Sequence, residues 1–311
     1  MFNKIIIFLS VAIIFYFSII VFSDITKIDF SDLDFKLEYY PLIILILISH
    51  TLLSNLRFYR LLHKLKIQIS FIGSLKIFIA GLSLGLTPGG FGTAIKSYIL
   101  KNEFNRPIPS TLPVIFIERV TELIGILSVL ITLNFFIFGY ESFIVSIVGI
   151  SFVIIFFLLV SRTFLFSIFK SVFKKISYLE KFVKSVEESK DSFNQLTDKK
   201  VILESSCYSI LAKFLNLIAI YFIFLSFGID LGVISSGMIY YTSLLIGVLS
   251  FIPAGIIITE TSMLAILLQH KIEFSIAILI MITLRIVQTW ILTIAGTITY
   301  SIFYGNKKRD K

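Results

Sequence analysis

The sequence predicts an all-α, polytopic membrane protein with six full spans, two broken or re-entrant helical hairpins (about eight hydrophobic segments), an inverted repeat and both termini cytoplasmic. Three observations carry that expectation. Of 311 residues, 57% are hydrophobic and only 15% charged, an apolar excess that a soluble domain cannot bury. The apolar residues fall into uninterrupted runs long enough to cross a bilayer. Two further runs are broken by Pro–Gly clusters at corresponding places along the chain.

In chain order, the first apolar window covers 5–22. It is longer than a signal-peptide core and has no small-x-small cleavage site, so it reads as a retained span. The next loop holds Asp24, Asp29, Asp32, Asp34 and Glu38 against Lys27 and Lys36, an outer-side balance. After the window 39–56, Arg57, Arg60, Lys64, Lys66 and Lys76 occur with no acid, so that connection is cytoplasmic, and Arg57 and Arg60 read as topology anchors. The first broken region, 71–100, starts and ends on the cytoplasmic side, since Lys101 and Arg106 follow it. Windows 113–138 and 143–160 leave and return. The segment 162–200 has nine Lys/Arg against five acids, with Leu165, Phe169, Val172, Ile176, Leu179, Val183 and Val186 at helical spacing. It reads as a basic amphipathic helix, either on anionic headgroups or packed on the spans. Window 202–227 exits, the second broken region 231–269 opens outward, and 275–303 returns to the basic tail 306–311. One transmembrane domain, 1–311, contains repeat units at about 39–138 and 202–303.

The charge of +9 sits in short loops beside spans, where it orients the chain, so nucleic acid is not an expected partner. His50, His63 and His270 are scattered and Cys207 is the only cysteine, so neither a metal site nor a cofactor is expected. Cys207 reads as a small buried hydrophobe. Lys96-Ser97 follows Ile95 rather than glycine, which removes a Walker phosphate loop.

The broken regions concentrate the unusual chemistry. Pro88 with Gly89, Gly90 and Gly92 should stop a helix, and a new one should start near Phe91 or Thr93 with unpaired N–H groups suited to an anion. Lys96 lies one turn further on. Pro253 and Gly255 are the second break, followed by Thr259 and Glu260. An arginine follows each break at nearly the same distance, Arg119 after Pro88 (119 − 88 = 31) and Arg285 after Pro253 (285 − 253 = 32). The first hairpin opens inward and the second outward, which relates the units by an axis in the membrane plane. Glu118 and Glu122 are four apart on one helix face beside Arg119, and Glu260 is the expected partner of Arg285. Such charges inside spans are costly unless paired or wet. Each set serves either function or a buried pair that fixes register.

At these residues the sequence resembles the flippase-like integral membrane family defined by the transmembrane region of lysylphosphatidylglycerol synthases, which includes archaeal proteins linked to dolichol-phosphate sugar translocation. The resemblance rests on Pro88-Gly89 with Lys96-Ser97-Tyr98-Ile99-Leu100, on Glu118-Arg119, on Pro253-x-Gly255 with Glu260, and on Arg285 followed by Trp290. Where the family usually has Pro-Gly-Arg-x-Gly-Glu, this chain has Pro88-Gly89-Gly90-Phe91-Gly92-Thr93, and Thr259 replaces the usual arginine before Glu260.

The resemblance implies a lipid translocase of the cell (plasma) membrane. It would move a phosphate-bearing lipid between leaflets, either a polyprenyl-phosphate-linked sugar or an anionic or aminoacylated phospholipid. The expected substrate-binding residues are Pro88, Gly89, Gly90, Gly92, Thr93, Lys96, Glu118, Arg119, Glu122, Pro253, Gly255, Glu260 and Arg285. No catalytic residue is expected, and lysyl-lipid synthesis is not expected of a chain that ends just after its last span. A glycosyltransferase or an aminoacyl-lipid synthase is the expected protein partner. Two other classes remain open: a membrane glycosyltransferase, for which Asp32-Leu33-Asp34 would supply acids, and a scaffold subunit without activity of its own.

Overall fold

In a computed structural model the described residues are 35–85, 87, 92–138, 189–250 and 252–305, and they are helical with short connections. The windows 5–22 and 143–160, most of the amphipathic segment, the tail 306–311 and Pro88, Gly89 and Gly90 lie outside them.

Helix α1 (Tyr40–Lys64) follows a single 3-10 turn and has Pro41 in its first turn, where the missing N–H costs nothing. It continues past Arg57 to Lys64. Helix α2 (Phe71–Leu82) starts at Ser70, whose hydroxyl accepts from Gly73 N at 3.1 Å. Replacing Ser70 by alanine removes this cap, and a loss of about 1 kcal/mol in unfolding free energy is expected in detergent denaturation. Helix α3 (Ile95–Phe104) is short; α4 (Ile108–Phe138) is long and tolerates Pro113 near its start. A small helix α5 (Lys190–Leu196) precedes α6 (Lys199–Ser226), whose N-cap Asp198 accepts from Lys200 N. Helix α7 (Gly232–Leu249) leads through a 3-10 turn at Pro253–Gly255 to α8 (Ile258–Gln269). A last rod comprises α9 (Phe274–Arg285), a π-helical turn at Ile286–Trp290 and α10 (Ile291–Tyr304).

Five helices among the described residues are long and apolar enough to span a membrane: Leu37–Lys64, Ile108–Ile137, Lys199–Ser226, Gly232–Leu249 and Phe274–Tyr304. Four of them coincide with expected windows. The fifth, α7, opens the second broken region and is span-length on its own, with α8 as the short element. In the first region both pieces, α2 and α3, are short. Large apolar side chains point outward along these rods, including Ile44, Leu45 and Ile48 on α1, Leu203 and Leu211 on α6, and Ile294, Ile298 and Ile302 on α10. Such surfaces are stable against lipid and not against water. Cys207 belongs to this outward surface; it is exposed rather than buried, because its neighbours Ser205, Ser206 and Ser209 take the inward face of α6. The described end of the amphipathic segment, α5, packs on α4, with the Phe116 and Phe193 rings 5.7 Å apart.

The long helices α1, α4 and α6 share two separate apolar cores. At the basic end, Phe58, Leu61 and Leu62 of α1 meet Val114, Ile117 and Val120 of α4, with α2 and α3 completing the cluster. At the other end, Ile43 and Ile46 meet Val129, Leu133, Ile220 and Phe224, joined by α7, α8 and α9. Antiparallel packing of α1 against α4 and α6 follows from this matching. The last rod joins the two: α9 belongs to the second core, while Tyr300 and Tyr304 of α10 pack on the first. Gly296 lets α10 lie directly on the end of α2, where a Cβ would collide with the backbone of Ser83 and Ile79.

Candidate functional site

Between the two apolar cores runs a polar layer. Counting along the helices, Arg57 is seven residues from the basic end of α1 (64 − 57), or about 10 Å, and Glu118 and Ser209 are each ten from the starts of α4 and α6 (118 − 108; 209 − 199), or about 15 Å. The layer therefore lies two to three helical turns in from the basic ends of these helices.

Glu118 is the hub. Its Oε2 lies 2.6 Å from Lys96 Nζ and its Oε1 lies 3.7 Å from Arg57 Nη2, with Lys96 and Glu118 completely buried and Arg57 at 2% exposure. Arg57 Nη1 donates to Thr121 Oγ1 at 3.3 Å and to Ser209 Oγ at 2.5 Å, which ties α1 to α4 and α6. Lys96 reaches Glu118 from α3, its ammonium 4.7 Å from the Phe58 ring centroid and 4.9 Å from that of Phe78. Its stem crosses α2 at Gly81, where any Cβ would collide with it. Arg57 Nε and the Ser97 hydroxyl are buried with no hydrogen-bond partner among the described residues.

Arg119 and Glu122 form a second pair at 2.8 Å, each side chain 29% exposed. Lys213 of α6 lies within electrostatic reach of this pair and of Arg57, and its stem passes Gly125 one turn beyond Glu122. Glu118 and Glu122, expected to work as one face, therefore serve different cations. Adjacent residues on a helix point about 100° apart, so Glu118 and Arg119 diverge.

Of the first break, Thr87 and residues 92–94 are described, and they precede Lys96 along the chain. A 3-10 turn at 92–94 leads into α3, and Thr93 is buried. The Gly92 N–H donates to Thr87 Oγ1, so one N–H expected to meet an anion is used within the break itself.

The second break is held differently. Arg285 Nε lies 2.6 Å from Glu260 Oε1, and Nη2 donates to the carbonyls of Ala254 at 3.2 Å and Gly255 at 3.4 Å. The arginine thus satisfies carbonyls that the interrupted helix leaves open. Ala254, Gly255 and Ile257 all have positive φ (54°, 63° and 74°), and for β-branched Ile257 that is a strained conformation. Gly255 lies against Gly247 of α7, and a Cβ on Gly247 would strike the Thr259 hydroxyl. Pro253 opens the 3-10 turn.

Arg57 is the clearest correction: it is a buried part of the hub and not a topology anchor, because α1 runs on for seven further residues. Arg60 does occupy the surface, 55% exposed, paired at 2.7 Å with Glu204. Lys213, Thr121 and Ser209 were also missed. A signal existed in α6, where Ser205, Ser209, Lys213 and Asn216 recur at three- and four-residue steps inside an apolar run. Asp32 and Asp34 lie outside the described residues. No group of three or more potential metal ligands occurs among the described residues.

The family model described as the lysylphosphatidylglycerol synthase transmembrane region matches residues 7–296. The chain is similar to a UPF0104 membrane protein of Pyrococcus horikoshii, 26% identical over 260 residues that cover 75% of this chain and 77% of that one. It is also similar to a UPF0104 membrane protein of Methanocaldococcus jannaschii, 25% identical over 228 residues, covering 71% and 94%. No solved structure matches.

Proposed function

The chain belongs to the family of the lysylphosphatidylglycerol synthase transmembrane region, and from that membership together with the charge of the polar layer we propose that it is a lipid translocase for a phosphate-bearing lipid. The observation that carries this reading is an imbalance. Among the described residues of the layer, the basic side chains Arg57, Lys96, Arg119 and Lys213 outnumber the acidic Glu118 and Glu122 by two (4 − 2). An uncompensated charge inside a span costs up to about 3 kcal/mol. A phosphate headgroup arriving there removes that cost; a neutral or cationic group does not.

In this reading the headgroup approaches Lys96 and Arg57 along the first break. Glu118 holds both cations until the phosphate replaces it. The units 39–138 and 202–303, related by an axis in the membrane plane, rock against each other about the layer. The second break, latched by Arg285 and Glu260, is the corresponding element of the other half. The cell membrane is the proposed location, and an enzyme that builds or consumes the carried lipid is the proposed partner.

The test is leaflet exchange in reconstituted vesicles, with labelled phosphatidylglycerol and labelled polyprenyl phosphate as separate probes. Arg57→Gln and Lys96→Gln are each expected to slow exchange by about tenfold or more, equivalent to about 1.4 kcal/mol on the barrier. Undiminished exchange in both variants removes the mechanism.

A further inference from the structure

We propose that a second, surface site binds the phosphate of a lipid headgroup in a basic pocket between the α1–α2 and α3–α4 turns, apart from the polar layer. The pocket has a volume of about 330 Å³ and is lined by Lys66, Ile67, Gln68, Phe104 and Arg106. That size lies at the lower end of small-molecule sites, about 300–1,000 Å³.

Its construction is specific. Lys66 (φ 55°) and Asn105 (φ 51°) both turn the chain through the left-handed region, which brings the two connections face to face. Arg106 Nη2 donates to the Lys66 carbonyl at 3.1 Å and ties them together. That bond occupies one of the five donors of the guanidinium. Ile67 is 2% exposed and anchors the floor, and Phe104 packs on the basic-end apolar core. Lys66, Gln68 and Arg106 remain exposed. The lining thus offers two full positive charges and an amide, and no carboxylate.

Position selects the ligand. Lys66 follows the end of α1 by two residues, beside the exposed pairs Arg60–Glu204 and Lys64–Asp198, so the pocket opens where helices leave the hydrocarbon and headgroups begin. A bidentate guanidinium and an ammonium around a small hollow suit a phosphate. An apolar wall under them suits the start of a lipid's glycerol or prenyl portion. Helix α3 links the two sites directly, since its first turn carries Lys96 and its last residue is Phe104.

The experiment uses the full chain in phosphatidylcholine nanodiscs with trace spin-labelled phosphatidic acid or spin-labelled phosphatidylcholine, reading the immobilised fraction of each. Preferential immobilisation of phosphatidic acid is expected, with the association constant falling roughly tenfold in the double variant Lys66→Gln/Arg106→Gln. The charge-matched double variant Lys199→Gln/Lys200→Gln, at the exposed start of α6, should keep the preference. Equal loss in both doubles would assign the preference to diffuse surface charge, and no loss in the first would also overturn the site. Inorganic phosphate is the third arm: displacement of the lipid by it at millimolar level would make this a free-anion site and overturn the lipid assignment. Because this readout needs no translocation, a chain that binds here yet fails every exchange assay keeps this site and loses the translocase reading.

Discussion

Substituting Glu118 by alanine is expected to lower the unfolding free energy by about 3–5 kcal/mol, because it leaves Lys96 and Arg57 buried without the carboxylate that both approach. Thermal unfolding in detergent reads this as a large fall in midpoint. Lys96→Met alone should be nearly as harmful, since it leaves Glu118 with only the more distant Arg57. The informative variant is the double Lys96→Met/Glu118→Met. Removing both charges replaces an ion pair with apolar volume beside Phe58 and Phe78, and most of the stability should return, with a coupling energy of about 1–3 kcal/mol. If the hub only fixes helix packing, the stable double variant will exchange lipid normally. If it receives the headgroup, the double variant will fold and fail to transport.

The second large effect concerns Arg285. Exchange for glutamine removes the cation beside Glu260, which is 2% exposed, and releases the carbonyls of Ala254 and Gly255. A cost of about 3–5 kcal/mol is again expected. The signature should be local: hydrogen exchange should accelerate first at 252–257, where positive φ at Ala254 and Ile257 already stores strain that surrounding contacts must hold. Arg285→Lys keeps a charge for Glu260 but has no planar fork to reach two carbonyls as well, so an intermediate loss is expected. Uniform acceleration across all helices, with no excess at the break, would refute the latch.

The positions of the long helices were legible because lipid demands unbroken apolar runs, and the breaks were legible because Pro–Gly clusters stand out within them. Glu260 and Arg285 could be paired by eliminating other local partners. The hub could not be assembled in this way. Lys96 meets Glu118 from the neighbouring helix across the α3–α4 turn, a contact with no periodic trace. Arg57 was misread because hydropathy falls at the first arginine, which set the span's end at 56, whereas long basic side chains let α1 remain helical to Lys64. The inward face of α6 was hidden for a related reason. Serines and threonines inside lipid bond their own helix, as Ser209 does to the Ser205 carbonyl, and so look structural until a neighbour such as Arg57 also reaches them.

The π-helical turn at Ile286–Trp290 has a geometric effect on everything after it. One residue more than a regular turn swings the downstream side chains by about 100° around the rod axis. Upstream of this wedge the rod aims Leu284 and Arg285 at one bundle of neighbours; downstream it aims Gly296 at another. Deleting a single residue within it would rotate Gly296 away from α2 and part α10, which closes one repeat unit, from the short helix of the other.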